Sequence, residues 1–301
     1  MPVVTETHYD HLFSTGKVRD TYDLGDNLLM VTTDRLSAFD VVLPTGIPDK
    51  GAVLNQLSAF WFGKLGAIVP NHLLDLVLDV GQLAPHRSAL GSGDLSPLVG
   101  RSMIVRKAQP VLIECVVRGY LSGSGWAEYK QRGTIGGMPL PPGLVESAEL
   151  RTPMFTPSTK AASGHDENIS VDQMAAIVGK DLTSTLERLS VALYSAARAY
   201  ARDRGIIIAD TKFEFGLVDG QIMLIDEALT PDSSRFWDVE TYAPGGAQPS
   251  FDKQYVRDWL IDSGWNREPP APELPPEVVQ RTADKYREAY RRITGEAVQG
   301  G

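Results

Sequence analysis

Apolar positions in the first hundred residues come in short runs bounded by Gly, Asn and Asp, the pattern of hairpin strands rather than helices. Residues 12–22 contain a turn at Thr15-Gly16, and a Gly25-Asp26-Asn27 turn leads into Leu28-Leu29-Met30-Val31, which predicts a hairpin. The period then changes. Leu54, Leu57, Phe60, Trp61 and Leu65 recur at helical spacing and predict one amphipathic helix ahead of Pro70. A loose stretch over 81–100 precedes a strand at 102–106, Pro110 interrupts, and an apolar strand resumes at 111–117. A second lobe is expected to begin there, dividing the chain into a β-rich lobe, 1–109, and an α+β lobe, 110–301.

Residues 133–165 are rich in Pro, Gly, Ser and Thr and predict a long ordered loop with short strands, a length uncommon unless it serves function. Ser170-Val171-Asp172-Gln173 fits a capping box at a helix start. Leu182, Leu186, Leu189, Leu193, Ala197 and Tyr200 mark a long helix; Arg202 and Arg204 suit its negative end, and Gly205 stops it. Ile206-Ile207-Ile208-Ala209 reads as a buried strand. Residues 275–294 form a polar amphipathic helix, expected on the surface.

The chain has 301 residues, 43% hydrophobic and 22% charged, enough for one large core or two coupled lobes. A formal net charge of −9 argues against a general nucleic-acid or anionic-membrane surface, so any anionic ligand needs local Arg and Lys clusters. Cys115 is the only cysteine, which excludes an internal disulfide and suits a reducing compartment. With no signal peptide and no apolar run near the ~20 residues a bilayer demands, a soluble cytoplasmic protein is expected, with a monomer favoured.

The densest chemistry lies in Asp210-Thr211-Lys212-Phe213-Glu214-Phe215-Gly216, followed by Leu224-Ile225-Asp226-Glu227. A strand here buries the aromatics and presents Lys212 and Glu214 together. Asp219-Gly220 is a strong hairpin turn that returns Asp226 towards them. Two carboxylates and a lysine on one face suit Mg²⁺ and nucleotide phosphates; the alternative is an exposed Lys–Glu ladder. A two-residue loop pairs Glu214 with Ile225 and sends Asp226 to the opposite face. A shared metal therefore requires a three-residue loop or a bulge.

Gly16-Lys17-Val18-Arg19 sits in the first hairpin, where backbone and cations could meet phosphate or form a simple polar turn; it is no Walker A loop. Asp34 to Asp40, with Ser37, mixes charges and a hydroxyl after an apolar strand and on its own reads as a helix cap with salt bridges. Arg118-Gly119-Tyr120-Leu121-Ser122-Gly123-Ser124 follows a strand and precedes a helix at Trp126. There free N–H groups, hydroxyls and an arginine suit a phosphomonoester or carboxylate. Arg235, Lys253 and Arg257 are further anion donors. His165-Asp166 has no second histidine at ligand spacing, and no nucleophile elbow, CxxC or HExxH is present.

Together these blocks resemble the SAICAR synthetase (phosphoribosylaminoimidazole-succinocarboxamide synthase) family in its longer branch. The matching segments are GKVRDTY at 16–22, TTDRLSAFD at 32–40, LIECVVRGYLSGSGW at 112–126, FTPSTKAASGHDENIS at 155–170, ADTKFEFG at 209–216, DEALTPDSSRFWD at 226–238 and SFDKQYVRDWL at 250–260. The resemblance implies a two-lobed α+β fold, distantly like protein kinases and ATP-grasp enzymes, with ATP between the lobes. It implies ligation of L-aspartate to a phosphoribosyl-aminoimidazole carboxylate, with ADP and phosphate released and ATP and Mg²⁺ required. Glu214 and Asp226 would bind Mg²⁺. Lys17, with Gly16, Val18 and Arg19, would meet the ATP phosphates; Arg106, Lys107 and Gln109 would meet adenine, and Glu114 the ribose. Arg118, Ser122, Ser124 and Arg235 would hold the ribonucleotide, near Ser37 and Asp40, and His165, Asp166, Lys253 and Arg257 are further substrate-binding candidates. Lys212 and Asp210 would lie by the reacting groups, Asp210 as the base for the amine. A small-molecule kinase, a different carboxylate–amine ligase or a nucleotide-sensing module are the competing expectations.

Overall fold

The computed structural model describes residues 2–160, 167–251 and 253–300. In the first third, β1 (Leu12–Thr15), β2 (Arg19–Asp23) and β3 (Asn27–Thr32) form the expected hairpins, and β4 (Ser37–Ala38) pairs with β5 (Val41–Val42). Helix α1 (Lys50–Leu65) starts earlier than its apolar spacing suggested, because Asp34 Oδ1 accepts the Gly51 N–H at its first turn. Then come β6 (Leu73–Val77), the one-turn α2 (Arg87–Leu90) and β7 (Ser102–Arg106). The 81–100 stretch is thus not structureless: it holds α2 and two 3₁₀ turns. These strands build a five-stranded antiparallel sheet in the order β1-β2-β3-β7-β6.

The second sheet is organised by one strand. After β8 (Gln109–Pro110), β9 (Ile113–Tyr120) and α3 (Gly123–Arg132) come β10 (Thr134–Ile135), β11 (Met138–Pro139), β12 (Glu149–Phe155) and β13 (Ser158–Thr159). The Ser170 capping box opens α4 (Val171–Val178). Gly179, at φ 89, separates it from α5 (Lys180–Arg202). The expected buried strand at 206–209 and the Lys–Glu strand are a single 13-residue element, β14 (Ile206–Val218). Along its first half β14 pairs with β9 and with β16 (Ser234–Asp238); along its second half it pairs with β15 (Gln221–Ile225) and β8. Phe213 and Phe215 are fully buried, each contributing roughly 1.5–3 kcal/mol, so the alternate face is left for Lys212 and Glu214.

A single core joins the two sheets: Trp61, Met103 and Val105 pack in one cluster with Ile113, Phe213, Phe215 and Leu224. The chain between α1 and β6 stitches them at the backbone, since Leu224 N–H donates to Pro70 O, His72 N–H to Leu224 O and Arg106 N–H to His72 O. Helix α6 (Gln254–Asp262) leads to α7 (Pro276–Thr294), whose apolar face, including Tyr286, Tyr290 and Ile293, is buried in contact with α1 and α6. Among the described residues no helix is long and apolar enough to cross a membrane.

Candidate active site

Two neighbouring sites are built on one face of β14. Residues 210, 212 and 214 alternate with the core-facing 211, 213 and 215, so Asp210, Lys212 and Glu214 share a face at a spacing of roughly 6.6 Å.

At the Asp210 end the register explains the chemistry. Asp210 pairs with Arg118 on β9 on one side and with Arg235 on β16 on the other. Side chains directly opposite across a ladder reach one another, and Asp210 Oδ2 accepts from both guanidinium groups, at 3.0 Å from Arg118. Arg118 also donates to Thr156 Oγ1 at 3.0 Å and to Ser124 Oγ at 2.9 Å, which ties it to the first turn of α3. Gly123, the first residue of that helix, has φ 55, and a Cβ there would lie 2.3 Å from Arg235 Nη2; only glycine allows the helix terminus this close. The Ser122 cap makes no side-chain bond to the helix, and its Oγ is buried without a partner.

Cavities of about 150 and 100 Å³ meet at Arg235. Ser122, Gly123 and Ser250 line the first; Asp232, Lys253 and Arg257 line the second. The structure therefore gathers Arg118, Ser122, Ser124, Arg235, Lys253 and Arg257 around the positive end of a helix, an arrangement that receives phosphate or carboxylate. Ser37 and Asp40 line neither of these cavities. They sit in the β4–β5 region, where Asp40 pairs with Lys17. His165 and Asp166 lie outside the described residues.

At the Glu214 end a cavity of about 470 Å³ opens between the sheets. Leu28, Met30, Val105 and Ile225 give it an apolar wall, and Arg106, Lys107 and Pro110 border it at the junction between the sheets; Gln109 lies between these last residues. Glu214, Asp226, Lys160 and His72 form its polar end. Roomier clefts of about 530 and 560 Å³ beside α3 and the N-terminal segment bring no lysine against two carboxylates.

The hairpin expectation needs correcting here. The loop has two residues, Asp219 and Gly220, both at positive φ (52 and 79), as a type I′ turn requires. Glu214 does pair with Ile225, the register that would send Asp226 to the far face. Asp226 nevertheless shares the cavity with Glu214, because it is one residue past the end of β15 and turns left-handed, at φ 62. A backbone turn at the strand end replaces the predicted three-residue loop or bulge.

Each carboxylate is balanced by a cation. Lys212 Nζ donates to Glu114 Oε1 at 2.7 Å and to Glu214 Oε1 at 2.8 Å, and Lys160 pairs with Glu214 Oε2. Arg19 reaches Asp226 at 2.7 Å and Glu227 at 2.9 Å. Burial alone would lower the Lys212 pKa, but Glu214, Glu114 and Asp226 outweigh it and hold the ammonium above its ordinary value. Burial likewise opposes charge on Asp226, yet Arg19, Lys212 and Lys160 bring its carboxyl below the usual range. Burial pushes His72 down to about 4, so its ring is neutral at physiological pH.

The first hairpin is arranged differently from expectation. Gly16 lines the N-terminal cleft rather than this cavity, and Arg35 clamps the loop by donating to the Gly16 and Lys17 carbonyls. Val18 O accepts from Thr33, and Lys17 turns to Asp40. Of that motif, Arg19 alone reaches the carboxylates. Sequence reasoning missed Lys160 and His72. Lys160 lay within a quoted segment, FTPSTK, that gave it no role; His72 follows Pro70-Asn71 with no local signal at all.

Among the described residues no three His, Cys, Asp or Glu side chains cluster as a ready metal cage. The donor set fits a different arrangement: two hard oxygen donors, Glu214 and Asp226, with room beside them for phosphate oxygens as further ligands.

Comparison with known proteins agrees over nearly the whole chain. Residues 12–272 match the SAICAR synthetase family model. A phosphoribosylaminoimidazole-succinocarboxamide synthase from Syntrophotalea carbinolica is 53% identical over 300 residues, covering 98% of this chain and 99% of that protein. The solved SAICAR synthase from Saccharomyces cerevisiae, complexed with SAICAR, superposes with a TM-score of 0.86 at 44% identity, covering 98% of this chain and 99% of that one. A SAICAR synthetase solved in complex with ADP gives a TM-score of 0.68 at 27% identity, over 94% and 98% of the two chains. The chain belongs to the SAICAR synthetase family.

Proposed function

We propose that this chain carries out the reaction for which its family is named: ATP-dependent ligation of L-aspartate to 5-amino-1-(5-phosphoribosyl)imidazole-4-carboxylate, releasing SAICAR, ADP and phosphate in purine synthesis. The observation that carries it is the shared face of β14, with an anion-binding arginine pair at Asp210, a carboxylate cavity at Glu214, and Lys212 between them. One strand so holds a phosphorylated acceptor and a nucleotide within reach of the same lysine.

Arg118, Arg235, Ser124 and the α3 N-terminus bind the ribonucleotide phosphate, with Lys253 and Arg257 adding charge. The 470 Å³ cavity takes ATP, adenine against Leu28, Met30 and Val105, phosphates towards Glu214 and Asp226. When bound there by those two carboxylates, Mg²⁺ neutralises phosphate charge. A carboxylate is a poor electrophile, so we propose that the γ-phosphoryl group passes to the imidazole carboxylate, and that the aspartate amine displaces phosphate from the acyl phosphate. Lys212 and Lys160 stabilise charge on the transferring group, so catalysis is chiefly positioning and electrostatics. Asp210 aligns the two arginines and stands as the proposed proton acceptor for the amine. The division near 109/110 is proposed as the junction of the ATP-binding and substrate lobes.

The test is ADP release measured with and without each substrate. Ligation requires ADP and free phosphate only when aspartate and the ribonucleotide are both present. A stable phosphorylated product without aspartate would instead mark a kinase.

A further inference from the structure

Successive residues of a regular strand face opposite sides of its sheet. One side of the five-stranded sheet holds Tyr22, Leu29, Val31 and Ile104, packed in a cluster of their own. The other presents Thr21, Leu28, Met30 and Val105 to the 470 Å³ cavity. Strand β1 breaks the alternation. It is an edge strand, and its pairing with β2 shifts between Leu12, opposite Tyr22, and Ser14, opposite Thr21. Phe13 is the extra residue at that bulge. Phe13 and Ser14, neighbours in the chain, therefore both line the cavity, whereas Leu12 lines the N-terminal cleft. A bulge re-aims a side chain in this way, and such bulges recur beside functional sites.

The bulge aims an aromatic ring that is still largely in water. Phe13 is 60% exposed, against 9% for Met30 and 1% for Val105 on the same side of the sheet. Among the described residues it joins neither of the apolar clusters packed against the two sides of that sheet. The register places it at the outer end of the cross-strand row Ser14, Thr21, Met30 and Met103. We propose that Phe13 is a nucleotide-binding residue, its ring closing the outer edge of the base pocket and leaving water when the purine of ATP or ADP enters. The proposal rests on the reading of this cavity as the ATP site. The contact works through buried apolar area alone, so its signature is a change in affinity together with a change in the heat capacity of binding.

The experiment titrates ADP with Mg²⁺ by calorimetry at several temperatures, for wild type, Phe13→Ala, Phe13→Leu and Leu12→Ala. Leu12, 54% exposed and lining the other cleft, reports any general effect of trimming β1. Phe13→Ala should bind ADP about five- to twentyfold more weakly, with a less negative heat capacity of binding, as expected when the exposed part of one Phe is no longer buried. Phe13→Leu keeps most of the apolar area and should stay within about threefold of wild type. Leu12→Ala should match wild type in both quantities. Wild-type affinity and heat capacity in Phe13→Ala, or equal losses in Phe13→Ala and Leu12→Ala, overturn the proposal. Glu214→Gln, run in parallel, separates this claim from the reading beneath it. If Glu214→Gln and Phe13→Ala both bind Mg²⁺ and ADP as wild type does, the cavity is not the nucleotide site and both claims fall. If Glu214→Gln loses that affinity while Phe13→Ala keeps it, only the role of Phe13 falls.

Discussion

Glu214 and Asp226 line one cavity although the strand register pairs Glu214 with Ile225 and would point the next residue away. Their convergence depends on the φ of 62 at Asp226 and on the cations that hold each carboxylate, Lys160 and Lys212 at one, Arg19 at the other. Buried charges persist only when paired in this way.

Glu214→Gln and Asp226→Asn preserve side-chain shape and leave acceptors for the flanking cations while removing the anionic ligand. Each should lower ATP-dependent ligation of aspartate about a hundredfold or more, with circular dichroism unchanged. Full turnover in either variant would remove that residue from the metal assignment.

The hairpin turn makes a separate, structural prediction. Gly220 has φ 79 and open space where a Cβ would lie, so an added methyl meets no atom and the cost is confined to the backbone. Gly220→Ala should lower unfolding free energy by about 1–2 kcal/mol, read from urea midpoints. Gly246, equally open and not at positive φ, serves as the control, and Gly246→Ala should not destabilise.

What the sequence could reveal followed from local rules. The alternation Lys212-Phe213-Glu214-Phe215 and the Asp219-Gly220 turn announced the hairpin, and Ser170 with Gln173 announced a helix start; each depends on a few consecutive residues. The Asp34 segment does carry an ion pair, with Arg101, but it caps no helix of its own: it leads into β4, the cap of α1 is Asp49, and Asp34 reaches that helix only by accepting the Gly51 N–H. Long-range pairing was not legible. Nothing local says that Arg19 crosses to Asp226, that Lys17 turns to Asp40, or that Asp210 stands between Arg118 and Arg235, since those contacts arise only when strands far apart in sequence become neighbours. The missed φ at Asp226 has the same origin, because the cation that pairs with it, Arg19, is 207 residues away in sequence.

Arg235 supports a prediction on substrate recognition. Its guanidinium lies against the α3 terminus, borders both small cavities and does not line the 470 Å³ cavity. Arg235→Lys keeps the charge but loses the planar fork. The KM for the ribonucleotide should rise about tenfold to a hundredfold, as for lost charged hydrogen bonds, with the KM for ATP unchanged. Equal rises in both constants would detach Arg235 from the phosphate.

Cys115 lies on β9 opposite Phe213, on the core side of the strand that carries the site. Burial pushes its thiol up to about 12, with Glu214 and Glu114 adding to the shift against a bond with Ser190. A thiol held protonated in the fold and free to ionise when unfolded stabilises the protein below the unfolded value, near 8.5; that contribution is lost as pH climbs from there towards 12. At pH 8 the native protein should therefore give no reaction with a thiol reagent over the time in which the unfolded chain titrates its one cysteine. Between pH 9 and 11 native labelling should accelerate together with a fall in melting temperature, and Cys115→Ala should flatten that part of the stability–pH curve. Rapid labelling of the folded protein at pH 8 would mean that the β9–β14 core opens to solvent far more readily than its packing implies.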